Sequence, residues 1–159
     1  MLLRQSIQSE LASWLLPLAF PRTLQVSAGP VRFQAELTAA DQLAVAFQDF
    51  SVTLDRLSRA NLTELKAVAE SLSRKLTYLL EPISPIEVDA DQCLVQLRSV
   101  PPQRDENGST YYEILVRRGG TLSLVRYHKA KDAPREVIPA QVTREVFARL
   151  AEDFANAAP

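Results

Sequence analysis

Apolar side chains near the N-terminus recur at the spacing of a helix. They fall on one helical stripe, which consists of Ile7, Leu11, Trp14, Leu15 and Leu18. Pro17 and Pro21 are expected to end this helix, because proline cannot donate the backbone hydrogen bond of a helix interior. Glu10 and regularly placed polar residues interrupt the apolar run, so the segment predicts neither a signal peptide nor a bilayer span, which requires about 20 apolar residues.

Two further stretches also have helical spacing, and each begins with a good N-cap. Asn61, with Glu64 three residues later, is typical of a capping box, and the helix is expected to run to Pro82. Its apolar face comprises Leu62, Leu65, Ala69, Leu72, Leu76 and Leu79. Thr143 predicts the start of a last helix, whose buried stripe comprises Val146, Phe147, Leu150 and Phe154. The chain therefore predicts three helices.

Alternation of apolar and polar residues predicts strands between these helices. The clearest case runs from Val31 to Leu37 and indicates a strand with one solvated face. The stretch from Asp41 to Leu57 fits either a helix or a strand whose alternation slips at Gln48-Asp49, as at a β-bulge. The stripe of the helix would be Leu43, Phe47, Phe50, Leu54 and Leu57. We favour the strand, because a tight hairpin through Thr38 to Asp41 would pair it with the preceding strand.

The second half of the chain predicts an antiparallel meander. Its first strand is expected over residues 86–97, with a kink at residues 89–92. The apolar positions that alternate along it are Ile86, Val88, Cys93, Val95 and Leu97. The loop of residues 103–108 has no apolar residue to anchor it, so we expect a mobile tip there.

Two consecutive glycines predict a tight hairpin in this half. Gly119-Gly120 is expected to form a two-residue turn between strands 110–117 and 122–129. In that register Glu113 lies opposite Arg126. One face, expected to pack on the helices, would carry Tyr112, Ile114, Val116, Val125 and Tyr127. The other face would carry Tyr111, Glu113, Leu115, Leu124, Arg126 and His128. A shift of one residue would exchange these faces, so the predicted pairing is specific.

These elements predict one α+β domain over residues 1–159, in the order α-β-β-α-β-β-β-α. We expect a single antiparallel sheet of about five strands, with three helices mainly on one face. An apolar strip of Leu115 and Leu124 on the other face predicts a homodimer. The order of elements resembles that of the type III secretion chaperones, which implies a dimeric, non-enzymatic protein that holds partner polypeptides. This resemblance lies in topology without a shared motif, and here a long helix precedes three strands.

Composition and charge narrow the functional class. The chain has 159 residues, of which 47% are hydrophobic, so a folded protein is expected rather than a disordered one. Its formal charge of -1 gives no global attraction to nucleic acid or to an anionic membrane, and neither partner is expected. Residues 98–135 nevertheless hold eight basic and four acidic side chains. Cys93 is the only cysteine, which excludes an intramolecular disulfide and favours a cytoplasmic location.

The sequence predicts no catalytic residue, cofactor or metal, because the motifs of nucleotide and metal enzymes are absent. His128 would lie near Tyr111 and Glu113 in the predicted register and could act there as a general acid or base. A lone surface histidine is the simpler interpretation. The acidic residues between 87 and 91 lack the spacing of a calcium-binding loop and are more typical of a turn.

Basic residues after position 116 give the strongest functional signal. They are Arg117, Arg118, Arg126, His128, Lys129, Lys131 and Arg135. Beside Tyr111 and Tyr127, such residues could hold a phosphate group or an acidic peptide.

Two functions therefore stay open. The favoured one is a non-enzymatic binding or protein-interaction module, of a dimeric chaperone or adaptor kind, whose partner is another protein or a second copy. The alternative is a small phosphate- or anion-binding protein, or an enzyme, that uses the Tyr/Arg/His cluster of the 110–129 hairpin. The expected binding residues are Tyr111, Glu113, Leu115, Leu124, Arg126, His128 and Lys129.

Overall fold

The computed structural model describes residues 2–14 and 18–158. Over these residues the chain forms three α-helices and ten β-strands, and all strand pairs are antiparallel. The helices are α1 (Leu2–Ser13), α2 (Leu62–Lys75) and α3 (Arg144–Ala155). The strands are β1 (Arg22–Ala28), β2 (Val31–Ala40), β3 (Ala44–Leu54), β4 (Ile83–Asp89), β5 (Leu94–Ser99), β6 (Gln103–Asp105), β7 (Gly108–Arg117), β8 (Thr121–Lys129), β9 (Glu136–Ile138) and β10 (Ala140–Thr143).

A continuous row of buried side chains crosses the sheet on one face. The main strand order is β1-β2-β3-β8-β7-β5-β4. Direct cross-strand pairs join five residues that are at most 1% exposed, namely Ala35, Phe50, Leu124, Ile114 and Leu97. All three helices contribute side chains to the same core as this row. We call this side of the sheet the core face and the opposite side the open face.

The sheet is larger than the five strands predicted, so the expected fold class is wrong in this respect. The segment that became β1 was missed, and the predicted kink at residues 89–92 is a turn that joins β4 to β5. The predicted loop at 103–108 is a hairpin of β6 and β7. Strands as short as β6, β9 and β10 carry too little alternation to be recognised, and pairing with longer neighbours forms them. The order of elements behind the resemblance to type III secretion chaperones therefore loses its support.

The stretch after Asp41 is a strand, as predicted, and it contains the expected bulge. Glu36 pairs with Asp49 and Leu37 pairs with Phe47, so one extra residue lies between them on β3. The turn before β3 is held by Asp41, whose carboxylate accepts the N–H groups of Ala44 and Leu43 at 2.8 Å each. These hydrogen bonds lower the pKa of Asp41 from its usual value. Leu43 itself is exposed rather than buried.

The capping box of α2 is confirmed. The N–H of Glu64 donates to the Asn61 side chain at 2.9 Å, and the N–H of Asn61 donates to the Glu64 carboxylate at 3.2 Å. The helix ends at Lys75 rather than at Pro82. Leu76 and Leu79 are nevertheless buried. Apolar spacing thus predicted their burial, but the chain leaves the helix earlier because it must turn to enter β4.

The first and last helices are also confirmed. The Thr143 hydroxyl accepts the N–H of Val146 at 3.1 Å and so caps α3, whose residues Phe147, Leu150 and Phe154 are buried as predicted. In the first helix Ile7 and Leu11 are buried. Leu15 and Pro17, which the same prediction included, lie outside the described residues.

The β7–β8 hairpin is displaced by one residue from its predicted register. Arg117 pairs with Thr121, so Arg118, Gly119 and Gly120 together form the turn. The N–H of Leu54, at the end of β3, donates to the carbonyl of Gly120 at 2.9 Å. This contact between distant segments stabilises the longer turn. It could not be predicted from the sequence around the turn. The side chains of β8 therefore point to the faces opposite to those predicted, whereas those of β7 point as expected.

Strands β9 and β10 fill a fork between β3 and β8. The two long strands pair directly only between residues 50–53 and 121–124. Beyond that point β9 pairs with β8, and β10 pairs with β3. Pro139 separates the two short strands, where its lack of an N–H group breaks no ladder. The chain before β9 is thereby returned alongside β8, which brings Arg135 beside the hairpin.

Replacing Gly120 by alanine should destabilise the protein more than replacing Gly119. Both glycines have positive φ angles, of +88° and +90°, so alanine is strained at either position. A Cβ at Gly120 would lie 2.5 Å from the carbonyl oxygen of Leu54, whereas no described atom lies within 4 Å of a Cβ at Gly119. Urea unfolding should show a loss of about 1 kcal/mol for Gly119→Ala and about 3 kcal/mol for Gly120→Ala. Equal losses would contradict the close contact of this turn with β3.

Candidate functional site

The observed register places two tyrosines side by side on the open face. Tyr111 pairs directly with Tyr127, and their ring centroids are 5.8 Å apart with an interplanar angle of 33°. The guanidinium of Arg98, from β5, lies 4.7 Å from the ring centroid of Tyr111. That of Arg135 lies 3.8 Å from the ring centroid of Tyr127. A row of two cations and two aromatic rings therefore crosses β5, β7 and β8, an arrangement that favours cation–π attraction.

Glu113 holds this row together from the middle of β7. Its residue is only 5% exposed, although it lies on the open face. One carboxylate oxygen accepts hydrogen bonds from Arg135 at 2.6 Å and from Gln96 at 2.8 Å, and it lies 3.7 Å from the nearest nitrogen of Arg98. Such partners compensate the cost of burying a carboxylate. We call Arg98, Tyr111, Glu113, Tyr127 and Arg135 the arginine–tyrosine cluster.

The two arginines of the cluster differ in their hydrogen bonds. The hydrogen bond to Glu113 raises the pKa of Arg135 above its usual value and outweighs the lowering by burial. The Nε atom of Arg98 is buried and has no hydrogen-bond partner among the described residues. A buried donor without a partner is energetically unfavourable.

Three residues of the cluster, Arg98, Tyr111 and Arg135, line a groove with a volume of about 730 Å³. Four cationic side chains line the groove, and they are Arg98, Arg104, Lys129 and Arg135. The one carboxylate among the lining residues is Glu87. Ile86, Val100 and Pro102 add an apolar part to the lining. Even with Glu113 counted, cationic groups outnumber carboxylates in and beneath the groove, which suits it to an anionic ligand.

The structure brings together three of the seven residues predicted to bind. Tyr111 and Lys129 line the groove, and Glu113 is bonded to its arginines. Leu115 is half-buried on the same face. The other three residues, Leu124, Arg126 and His128, pair with core-facing positions of β7 and so point to the other side of the sheet. The predicted apolar strip of Leu115 and Leu124 is wrong, because Leu124 lies in the core.

Arg126 takes part in a buried network instead of pairing with Glu113. Its guanidinium donates to the carboxylate of Glu81 at 3.0 Å and lies 4.3 Å from the ring centroid of Tyr112. Glu81 also accepts from the hydroxyl of Ser99 at 2.5 Å. The Ser99 oxygen in turn accepts the N–H of Tyr112 at 2.8 Å. This network ties the segment after α2 to three strands, which is a structural role.

The acid–base arrangement considered for His128, with Tyr111 and Glu113 beside it, is not assembled. His128 pairs with Thr110, and its Nδ1 lies 3.1 Å from the Thr110 hydroxyl oxygen. Because Thr110 and Tyr111 are consecutive in a strand, His128 lies on the face opposite to Tyr111 and Glu113. Across residues 2–14 and 18–158, no three His, Cys, Asp or Glu side chains come together as metal ligands.

Sequence reasoning identified part of the basic surface. Lys129 and Arg135 line the groove, whereas Arg117, Arg118 and Lys131 are exposed outside it. Three further lining residues, Arg98, Arg104 and Gln96, were not predicted from the sequence. The alternation in β5 places Arg98 and Gln96 on the face opposite to Leu97, so their face could be predicted from the sequence. The pairing of β5 with β7, which brings them to the cluster, could not.

Comparison with protein-family models, with curated proteins and with solved structures finds no match for this chain. Within the described part of the chain, the helices are too short or too polar to span a membrane. The functional conclusion therefore rests on the geometry of the groove.

Replacing Arg126 by methionine should destabilise the protein strongly, because it leaves Glu81 buried without its cation. The Glu81 side chain is 3% exposed and that of Arg126 is 13% exposed. Unfolding in urea should show a loss of about 3–5 kcal/mol for Arg126→Met. Adding Glu81→Gln should restore part of this loss, since no buried charge then remains. Arg118→Met, at an exposed arginine, is the control and should change stability by less than about 0.5 kcal/mol. A loss equal to that control would contradict the network.

Proposed function

We propose that this protein is a non-enzymatic binding module whose groove on the open face takes an anionic ligand. The observation that carries the proposal is the convergence of four cationic side chains on one groove. Lining carboxylates are fewer, and Glu113 is already engaged by its hydrogen bonds. The proposal combines the two functions that the sequence left open: the protein is a non-enzymatic binding module, and its ligand is an anion.

Pre-organisation supports the proposal. Arg98 and Arg135 lie against tyrosine rings, and both are attracted to the same buried carboxylate. Arginine side chains held in this way lose little conformational entropy when a ligand binds, which favours affinity. A guanidinium has five N–H donors, so the bond of Arg135 to Glu113 leaves donors for a second anion. Lys129 and Arg104, which are exposed, add two further positive charges to the lining.

A protein partner is the second part of the proposal. Ile86 and Val100 are 43% and 46% exposed in the lining of the groove, and they offer apolar contact area beside the cations. A chaperone or adaptor role, including association with a second copy, would use this area rather than the Leu115 and Leu124 strip. Catalysis is not proposed, since His128 lies on the other face of the sheet from Tyr111. A cytoplasmic location is proposed from the single cysteine, Cys93, alone.

Anion binding can be measured directly by calorimetry with two probes, pyrophosphate and a short polyaspartate peptide. The wild-type protein should bind at least one of them at low salt, and added sodium chloride should weaken the binding. Arg104→Gln and Lys129→Gln replace exposed side chains, so both variants should fold normally. Each should weaken binding about tenfold, because one charged donor is lost.

The matched control for this test is Arg32→Gln. Arg32 is exposed, pairs with Asp55 at 2.8 Å and lies on β2, away from the groove. Binding should be unchanged in this variant. Failure of both probes to bind the wild-type protein, or equal weakening by Arg32→Gln, would overturn the proposed function.

A further inference from the structure

The groove has two chemically different ends. Its apolar lining comes from Ile86 on β4 and from Val100 and Pro102 after β5. Its cationic end is formed by Arg104 and Lys129, both of which lie beside Ser109, since Arg104 and Lys129 pair with that residue from opposite sides. A ligand that fills the whole groove must therefore carry apolar groups at one end and negative charge at the other.

The distance between these ends favours an extended ligand. Ile86 lies on β4 and Lys129 lies on β8, with β5 and β7 between them. Three strand intervals of about 4.8 Å amount to about 14 Å across the sheet, and the levels of the two residues on β7 are about five residues apart, which adds about 17 Å along the strands. The separation is therefore about 22 Å, which is the length of roughly seven residues of extended polypeptide. A single phosphate group would contact only the cationic end. The groove volume of about 730 Å³ is likewise in the range of ligands much larger than an inorganic anion.

The span of the groove and its local charge favour a polypeptide over other anionic ligands. The overall charge of -1 supplies no general attraction for a nucleic acid or an anionic membrane. A short acidic segment needs only the local charge of the groove.

We propose that the ligand is an extended acidic segment of a partner protein, with aliphatic side chains on Ile86 and Val100 and carboxylates on Arg104, Lys129 and the arginine–tyrosine cluster. This inference rests on the proposed anion-binding function and names its ligand class. The aliphatic contacts make the groove prefer acidic segments that carry aliphatic side chains over acidic segments that lack them. Charge alone cannot produce this preference.

The test compares two labelled peptides by fluorescence anisotropy. One has leucines at one end and aspartates at the other, and its matched partner has serines in place of the leucines. The wild-type protein should bind the leucine peptide about tenfold more tightly, since burial of a leucine side chain contributes on that order. The Ile86→Ser/Val100→Ser variant should lose this preference and bind both peptides equally.

Leu43→Ser is the control for the loss of an exposed aliphatic side chain. Leu43 is 79% exposed in the turn before β3, far along the sheet order from β4, and its replacement should leave the preference intact. Circular dichroism and the thermal midpoint establish that the variants are folded. Because Ile86 and Val100 are themselves more than 40% exposed, we expect both variants to unfold near the wild-type temperature.

The outcomes separate the two proposals. Equal affinity of the wild-type protein for both peptides, with weakening by Lys129→Gln retained, would overturn the amphipathic ligand and leave anion binding in place. Absence of binding by peptides and pyrophosphate alike would overturn the proposed function itself. Tighter binding to anionic phospholipid vesicles or to single-stranded RNA than to the leucine peptide would contradict a polypeptide ligand.

Discussion

The site depends on a carboxylate that is buried on the open face of the sheet, which none of the described helices covers. An isolated charge in such a position is strongly unfavourable, so Glu113 requires partners. Gln96 and Arg135 donate hydrogen bonds to it, and Arg98 lies within ion-pair distance. Glu113 lies on β7, and its partners come from β5 and from the segment before β9. The need to pair one carboxylate thus gathers three parts of the chain and fixes two arginines over two tyrosine rings.

The same residues would serve as a ligand site because Glu113 positions the arginines without using all of their donors. Arg135 is anchored by its bond to Glu113, and Arg98 lies 3.7 Å from the same carboxylate without a hydrogen bond to it. The stack on Tyr111 and Tyr127 limits the motion of both guanidinium groups. On the core face, Arg126 is committed to Glu81 and stabilises the fold. Neighbouring arginines on β5 and β8 therefore have different roles, which follow from the face that each occupies.

Much of the secondary structure could be predicted from the sequence because it depends on local signals. The capping box at Asn61, the cap at Thr143 and the bulge in β3 are all encoded within a few residues. The number of strands could not be predicted, since β6, β9 and β10 form only by pairing with longer strands. The predicted register of β7 and β8 was wrong for a related reason. The Gly119-Gly120 sequence favours a two-residue turn, but the contact of Gly120 with Leu54 requires a longer one.

The one-residue shift between β7 and β8 determined which site residues could be predicted from the sequence. Tyr111 and Glu113 were placed correctly because the side chains of β7 point to the predicted faces, whereas Lys129 reaches the groove only because those of β8 point to the opposite faces. Leu124, Arg126 and His128 were misplaced by the same exchange. Arg98 entered the site through the pairing of β5 with β7, which depends on contacts between segments rather than on any local motif.

The most direct test of the account is a nitrogen-15 NMR titration of the labelled protein with the leucine–aspartate peptide. We predict that the Nε–H signal of Arg98 and the backbone amides of Ser99, Tyr111 and Lys129 shift together, because these residues line the groove. The signals of Leu122 and Leu124, on the core face, should stay in place. Shifts confined to the core face, or no shift at saturating peptide, would contradict the claim that the arginine–tyrosine cluster is a ligand site.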